Sequence, residues 1–141
     1  KEEIEYVENY IQLQQLRFKN SFNYKIEIGK KVNLEIKVPK HVLYSYVENA
    51  IKHGLTTTKH GILTIKIENG KSLVLIVEDN GGGIDTTTNT KRNSTGNGIL
   101  IMEKIYKLYT QLYHKKIKHF VENVVESNTI KGVRAKVEID T

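Results

Sequence analysis

Cysteine is absent from this 141-residue chain. That excludes disulfide scaffolds, thiolate metal sites and cysteine nucleophiles, and it fits the cytosol. Tryptophan is absent too, and Pro39 is the only proline. No stretch approaches the roughly 20 continuous apolar residues of a membrane-spanning helix. No secretory signal pattern opens the sequence. The chain begins at Lys1 rather than Met, so it is expected to be a piece of a longer protein.

What is present suits one domain over residues 1–141, with 38% hydrophobic and 27% charged residues. The formal charge is +6, from 22 basic and 16 acidic residues. The basic excess gathers at Lys30-Lys31, Lys91-Arg92 and His114 to Lys118. Such patches read either as solvated surface or as attraction to phosphates or an acidic partner domain. No basic stripe interleaved with aromatics accompanies them, so nucleic acid is not an expected partner.

Hydrophobic periodicity divides the chain. Ile4, Val7, Ile11 and Phe18 recur at helical spacing over residues 3–19. Tyr24, Ile26 and Ile28, then Leu34, Ile36 and Val38, alternate with charged residues as half-buried strands do. Pro39 ends the second of these, and residues 40–54 form an amphipathic helix closed by Gly54. Strands at 61–68 and 72–78 flank Asn69-Gly70, a tight hairpin turn. The second of them, Leu73-Val74-Leu75-Ile76-Val77, is apolar without alternation and predicts a central strand covered on both faces. A polar, glycine-rich loop over 79–98 precedes a helix at 98–113, and strands at about 116–126 and 132–139 close the chain. This order predicts an α/β (α+β) two-layer sandwich, with a mixed, mainly antiparallel sheet carrying helices on one face.

Three constellations carry chemistry. In YSYVENAIKHG, about 100° per residue turns Leu43, Tyr46, Val47, Ala50 and Ile51 one way. Ser45, Glu48, Asn49, Lys52 and His53 turn the other way. Carboxamide and carboxylate oxygens are hard ligands suited to Mg²⁺, and an ammonium meets a phosphate as a point charge. A solvent-facing stripe accounts for the same pattern. In EDNGGGI, Asp79 ends the apolar strand, where its carboxylate can accept a hydrogen bond from an exocyclic amine. Gly81 and Gly83 let the backbone lie close to a ligand. Asp-Asn-Gly is also ordinary turn chemistry. In STGNGI, Gly96 and Gly98 offer backbone N–H groups at a helix start, an anion site or simply a flexible linker.

Taken in this order and spacing, the motifs resemble the GHKL superfamily of ATPases (gyrase, heat-shock chaperone, histidine kinase, MutL), and within it the LytS-type sensor histidine kinases. VENAIKHG is similar to their N box, VEDNGGGI to the first glycine box and STGNGI to the second. The opening YVENYIQLQQLRF resembles the helix that precedes the ATPase domain, and GVRAKVEI its closing strand. The resemblance implies the Bergerat ATPase fold and a transfer of the γ-phosphoryl of ATP to a histidine. It implies that Asn49 ligates Mg²⁺, with Glu48 as a second candidate ligand, and that Lys52 and His53 face the phosphates. Asp79 then holds the adenine amine in a pocket shaped by Gly81, Gly83 and Ile84. Thr95, Gly96, Asn97, Gly98 and Ile99 complete the ATP site from a lid over residues 84–97.

The sequence departs from the family pattern in three ways. Ser45 stands where hydrolysing members carry a water-activating acid, which argues against fast hydrolysis and suits a kinase. Val133 stands where a threonine often contacts adenine, and Ile101 and Tyr106-Lys107 where relatives carry Asn and Arg. None of His41, His53, His60, His114 and His119 lies in a phospho-acceptor context. The resemblance therefore implies an upstream dimerisation segment bearing that histidine and a homodimeric parent protein anchored in the cytoplasmic membrane. It also implies a cognate response regulator, the LytTR type among the candidates. A nucleotide-binding regulatory domain without kinase activity and an anti-sigma serine kinase are the competing readings.

Overall fold

The computed structural model describes residues 2–17, 22–33, 38–39, 42–53, 55, 60–81 and 96–140. The elements are α1 (Glu2–Arg17), β1 (Phe22–Ile28), α2 (Val42–His53), β2 (Gly61–Asn69), β3 (Ser72–Asp79), α3 (Gly96–Tyr113), β4 (Ile117–Glu126) and β5 (Thr129–Asp140). The predicted strand around Leu34 and Ile36, and the cap at Gly54, lie outside the described residues.

The five strands form one sheet in the order β1-β2-β3-β5-β4. β1 runs parallel to β2, and every other neighbouring pair is antiparallel. The sheet is thus mixed and mainly antiparallel, as the element order predicts. Alternation decides which face is buried. Leu63, Ile65 and Ile67 of β2, Leu73, Leu75 and Val77 of β3, and Ala135, Val137 and Ile139 of β5 all enter the core. The helices supply the opposing layer, with Val7 and Ile11 from α1, Val47 and Ile51 from α2, and Met102 and Tyr106 from α3. Full burial of a Val, Leu or Ile side chain contributes about 1.5–3 kcal/mol relative to exposure, so this interlayer core dominates stability.

The central strand corrects one expectation. β3 lies mid-sheet, but among the described residues helices cover one face only. Its side chains alternate between half-buried and buried over its whole length. Ile76 is in register with Lys66 on β2 and Lys136 on β5. Long lysine stems cover apolar neighbours while keeping their ammonium groups wet. Among the described residues, an unbroken apolar run therefore lies on a face that lysine stems rather than helices cover.

Two turns were not legible as turns. Ser127 and Asn128 adopt φ of 52° and 62° between β4 and β5, the positive pair that a two-residue hairpin needs. His114 takes φ of 55°, and its N–H bonds the Thr110 carbonyl at 2.9 Å, ending α3.

Candidate functional site

Asp79 is the last residue of β3 and only 4% exposed. Among the described residues it is the only polar or charged residue in the buried class. Strand alternation puts its side chain on the helical face, in line with Leu75 and Val77. Its Oδ1 accepts the Gly81 N–H at 2.8 Å, an Asx turn that bends the chain as it leaves the strand. Asn80 faces away and ties the strand ends together. Its Oδ1 accepts the Ile62 N–H at 2.7 Å, and its Nδ2 donates to the His60 carbonyl at 3.2 Å.

Behind Asp79 runs β5. Val133 stands opposite Asp79 in the ladder and is 3% exposed, so the strand presents an apolar side chain beside this carboxylate. Gly132 has φ of 154°, and a Cβ there would lie 1.7 Å from the Asp79 carbonyl oxygen. Only glycine allows the two backbones this approach. Its place in the last strand was visible in the sequence, but the contact depends on a partner 53 residues earlier in the chain (132 − 79).

The asparagine helix is fixed from outside itself. α2 has no acidic residue in its first turn. Instead Glu3 of α1 reaches across, its Oε1 accepting the N–H groups of Leu43 at 3.0 Å and Tyr44 at 3.4 Å. A carboxylate there satisfies donors that lack helical partners and complements the helix dipole. The Pro39 carbonyl accepts the Val42 N–H at 3.2 Å, which sets the helix entry. Val42, Leu43, Val47, Ala50 and Ile51 are buried, while Ser45, Glu48 and Asn49 are half-buried and Lys52 is exposed. The helix thus divides into the apolar and polar faces that the sequence predicts.

On the polar face, Tyr44, Glu48 and Lys52 follow one another at four-residue spacing. The Tyr44 hydroxyl donates to Glu48 Oε2 at 2.7 Å, and Lys52 Nζ lies 3.8 Å from the same oxygen. The Tyr44 ring meets Tyr6 and Tyr10 of α1 edge-on, with centroids 5.3 and 5.0 Å away. Burial, then the Glu48 carboxylate, push the Tyr44 hydroxyl well above the usual phenol range. On another side of α2, the hydroxyls of Tyr46 and Tyr106 are 2.9 Å apart. Burial raises both phenols, and the Tyr106 ring lies 4.9 Å from that of His119. His119 is therefore half-buried against an aromatic ring.

The structure places Asp79 and Gly81 at the end of the central strand, on the sheet face that carries α2 with Glu48, Asn49 and Lys52. His53 is the last residue of α2. Gly96, Asn97, Gly98 and Ile99 form the first turn of α3, two residues earlier than the predicted helix start. The N–H groups of that turn lack intrahelical partners. Gly83, Ile84, Thr95 and most of the predicted lid lie outside the described residues. Sequence reasoning missed Glu3, Tyr44 and Gly132. The acid and the glycine act across the fold, and no spacing rule marks them.

A family model described as "Histidine kinase-, DNA gyrase B-, and HSP90-like ATPase" matches residues 34–141. The sensor protein LytS of Oceanobacillus iheyensis is 38% identical over 87 residues, which are 59% of this chain and 14% of that protein. The sensor histidine kinase/phosphatase LytS of Staphylococcus aureus is 37% identical over 86 residues, 58% of this chain and 14% of that protein. The chain thus spans about one seventh of the length of these relatives. Among solved structures, the catalytic domain of histidine kinase ThkA superposes with a TM-score of 0.66 at 22% identity, covering 97% of this chain and 88% of that one. The mycobacterial sensor histidine kinase MprB superposes with a TM-score of 0.64 at 12% identity, covering 97% and 93%. At these identities the superpositions establish the shared fold.

Proposed function

Because this chain belongs to the histidine kinase-, DNA gyrase B- and HSP90-like ATPase family, we propose that it is the ATP-binding catalytic domain of a sensor histidine kinase. The observation that carries the reading is the buried Asp79 carboxylate at the end of the central strand, its chain exit fixed by Gly81. A carboxylate accepts several hydrogen bonds, so Asp79 can take an amine donor beside the Gly81 N–H that it already accepts. The adenine N6 amine is such a donor, and Asp79 with Gly81, Gly83 and Ile84 forms its pocket.

The half-buried oxygens of Asn49 and Glu48, one helical turn from Lys52, are a donor set that fits Mg²⁺. Held there with ATP, that ion would neutralise phosphate charge. Lys52 and His53 face the phosphates. The first-turn N–H groups of α3, from Gly96 to Ile99, with Thr95 ahead of them, take the phosphate oxygens from the other side. These groups hold the γ-phosphoryl in line with an incoming neutral imidazole. The bond from the γ-phosphorus to the bridging oxygen breaks, a phosphorus–nitrogen bond forms, and ADP departs. Positioning and charge stabilisation supply the catalysis. Ser45 provides no carboxylate to activate water, which favours transfer over hydrolysis.

The acceptor histidine belongs to a dimerisation segment of the parent protein, which acts as a membrane-anchored homodimer and passes the phosphoryl group to a response regulator. Among the described residues no helix is long and apolar enough to cross a membrane. The test is the parent protein incubated with ATP labelled at the γ position. Acid-labile, base-stable label on the protein is the expected result. ATP binding without such label would favour a regulatory domain that has lost transfer.

A further inference from the structure

β4 is the last strand of the sheet, and among the described residues no strand pairs with its outer edge. The Lys116 carbonyl accepts the Asp140 N–H at 3.0 Å. Bonded positions alternate along an antiparallel strand. Lys118 and Phe120 therefore also bond toward β5, where Glu138 and Lys136 are their register partners. Ile117, His119 and Val121 turn their backbone N–H and C=O groups outward instead. Such a row of edge groups is a template for a further strand.

The same stretch walls a groove. Ile117 and His119 enclose about 440 Å³ with Tyr106, Lys107, Thr110 and Gln111 of α3. Side chains of an added strand alternate between faces, so every second one falls on the helical face, into this groove. Tyr106 and Ile117 give it an apolar lining, and Val121 continues that edge at 41% exposure. Lys116 and Lys118 take the other face by the same alternation. Lys107, Lys115, Lys116 and Lys118 outnumber the acids Glu103 in the groove and Glu122 further along β4. Glu138, beside Lys118 in the ladder, is engaged by Lys136 at 3.1 Å. The edge thus asks for apolar residues on one face and acidic ones on the other.

We propose that the outer edge of β4 and the groove beside α3 bind an extended, acidic segment of a partner protein, which adds a strand to the sheet. Its alternate apolar side chains enter the groove against Tyr106 and Ile117. The acidic side chains between them meet Lys116 and Lys118. Main-chain bonds to Ile117, His119 and Val121 supply affinity, and the groove supplies the choice of side chain. The surface uses no residue assigned to the nucleotide, so it stands apart from the ATP reading.

The test titrates a capped peptide of alternating valine and glutamate into the isotope-labelled chain, followed by NMR, with hexaglutamate as the comparison probe. Saturable amide shifts are expected at Ile117, His119 and Val121 and along α3 from Tyr106 to Gln111, with hexaglutamate several-fold weaker. Val121→Pro removes an outward N–H and leaves the bonds to β5 in place; it is expected to weaken the alternating peptide about three- to tenfold. Lys116→Gln with Lys118→Gln is expected to weaken it about two- to tenfold. A thermal unfolding scan checks each variant, and if the proline variant is unfolded the lysine variant and the shift map decide. Absence of saturable shifts, or shifts confined to other elements, overturns the proposal. So does equal affinity for hexaglutamate, which would make the edge a charged surface and no more, or unchanged affinity in the lysine variant. Shifts at these amides that grow with protein concentration alone would give the edge to a second copy of the chain and overturn it too.

Discussion

Asp79 and Gly132 meet at one point of the fold, yet the sequence announces them differently. Asp79 stands out because an acid ends an apolar strand and glycines follow. Changing it to Asn preserves the shape but removes the charge that draws an amine. Asp79→Asn is expected to weaken ATP by about 10- to 100-fold, the worth of a hydrogen bond to a charged group, as titration calorimetry would read. Gly132 carries no such signal. Its importance lies in a backbone contact with Asp79 that no local pattern encodes. A methyl group there must push β5 away from β3 in a strained backbone, and Gly132→Ala is expected to cost about 1–3 kcal/mol of stability. Urea unfolding of the variant measures it; an unchanged midpoint would place the glycine elsewhere in the balance. Val133 was legible as a departure from the family pattern, and the ladder accounts for its interest by placing it opposite Asp79.

Helices and strands were legible wherever periodicity was regular. The bounds of β2, β3 and α2 fall within a few residues of those that alternation and helical spacing predict. What sequence could not supply is the traffic between elements. The apolar run of β3 suggested two covered faces, because periodicity reports hydrophobicity and not who covers it. Lysine stems from β2 and β5 answer that question only once register is known. The N-terminus of α2 likewise offers no acidic residue of its own, and its cap arrives from α1. Glu3→Ala removes an acceptor from two backbone donors and is expected to destabilise the domain by about 1 kcal/mol. A fall in thermal midpoint checks this. Restoring an acid at residue 3 as Asp, whose side chain is one methylene shorter, should recover less than the full difference.

The molecule as a whole carries a predictable response to alkali. Burial first, and neighbouring carboxylates or phenols second, raise the hydroxyls of Tyr10, Tyr44 and Tyr109 in the folded state. Tyr46 and Tyr106 are raised by the same leading cause. In the unfolded chain these groups ionise near pH 10. Above that pH the folded state retains protons that the unfolded state releases, so stability falls as pH rises. The tyrosine contribution is complete below about pH 9 and declines above about pH 10. Denaturant midpoints taken from pH 8 to 11 are expected to be level at first and then drop. A stability that held flat to pH 11 would contradict the burial of these phenols.

The same scale decides the central claim, that one interlayer site grips both ends of a nucleotide. Asp79 on the sheet and Asn49 on α2 come from separate elements that only the fold unites. The most direct measurement is calorimetric titration of the chain with ATP, with and without Mg²⁺, for wild type and Asn49→Ala. The account predicts saturable one-to-one binding that Mg²⁺ strengthens in wild type and leaves unchanged in the variant. Absence of wild-type binding, or an undiminished Mg²⁺ effect in Asn49→Ala, would contradict it.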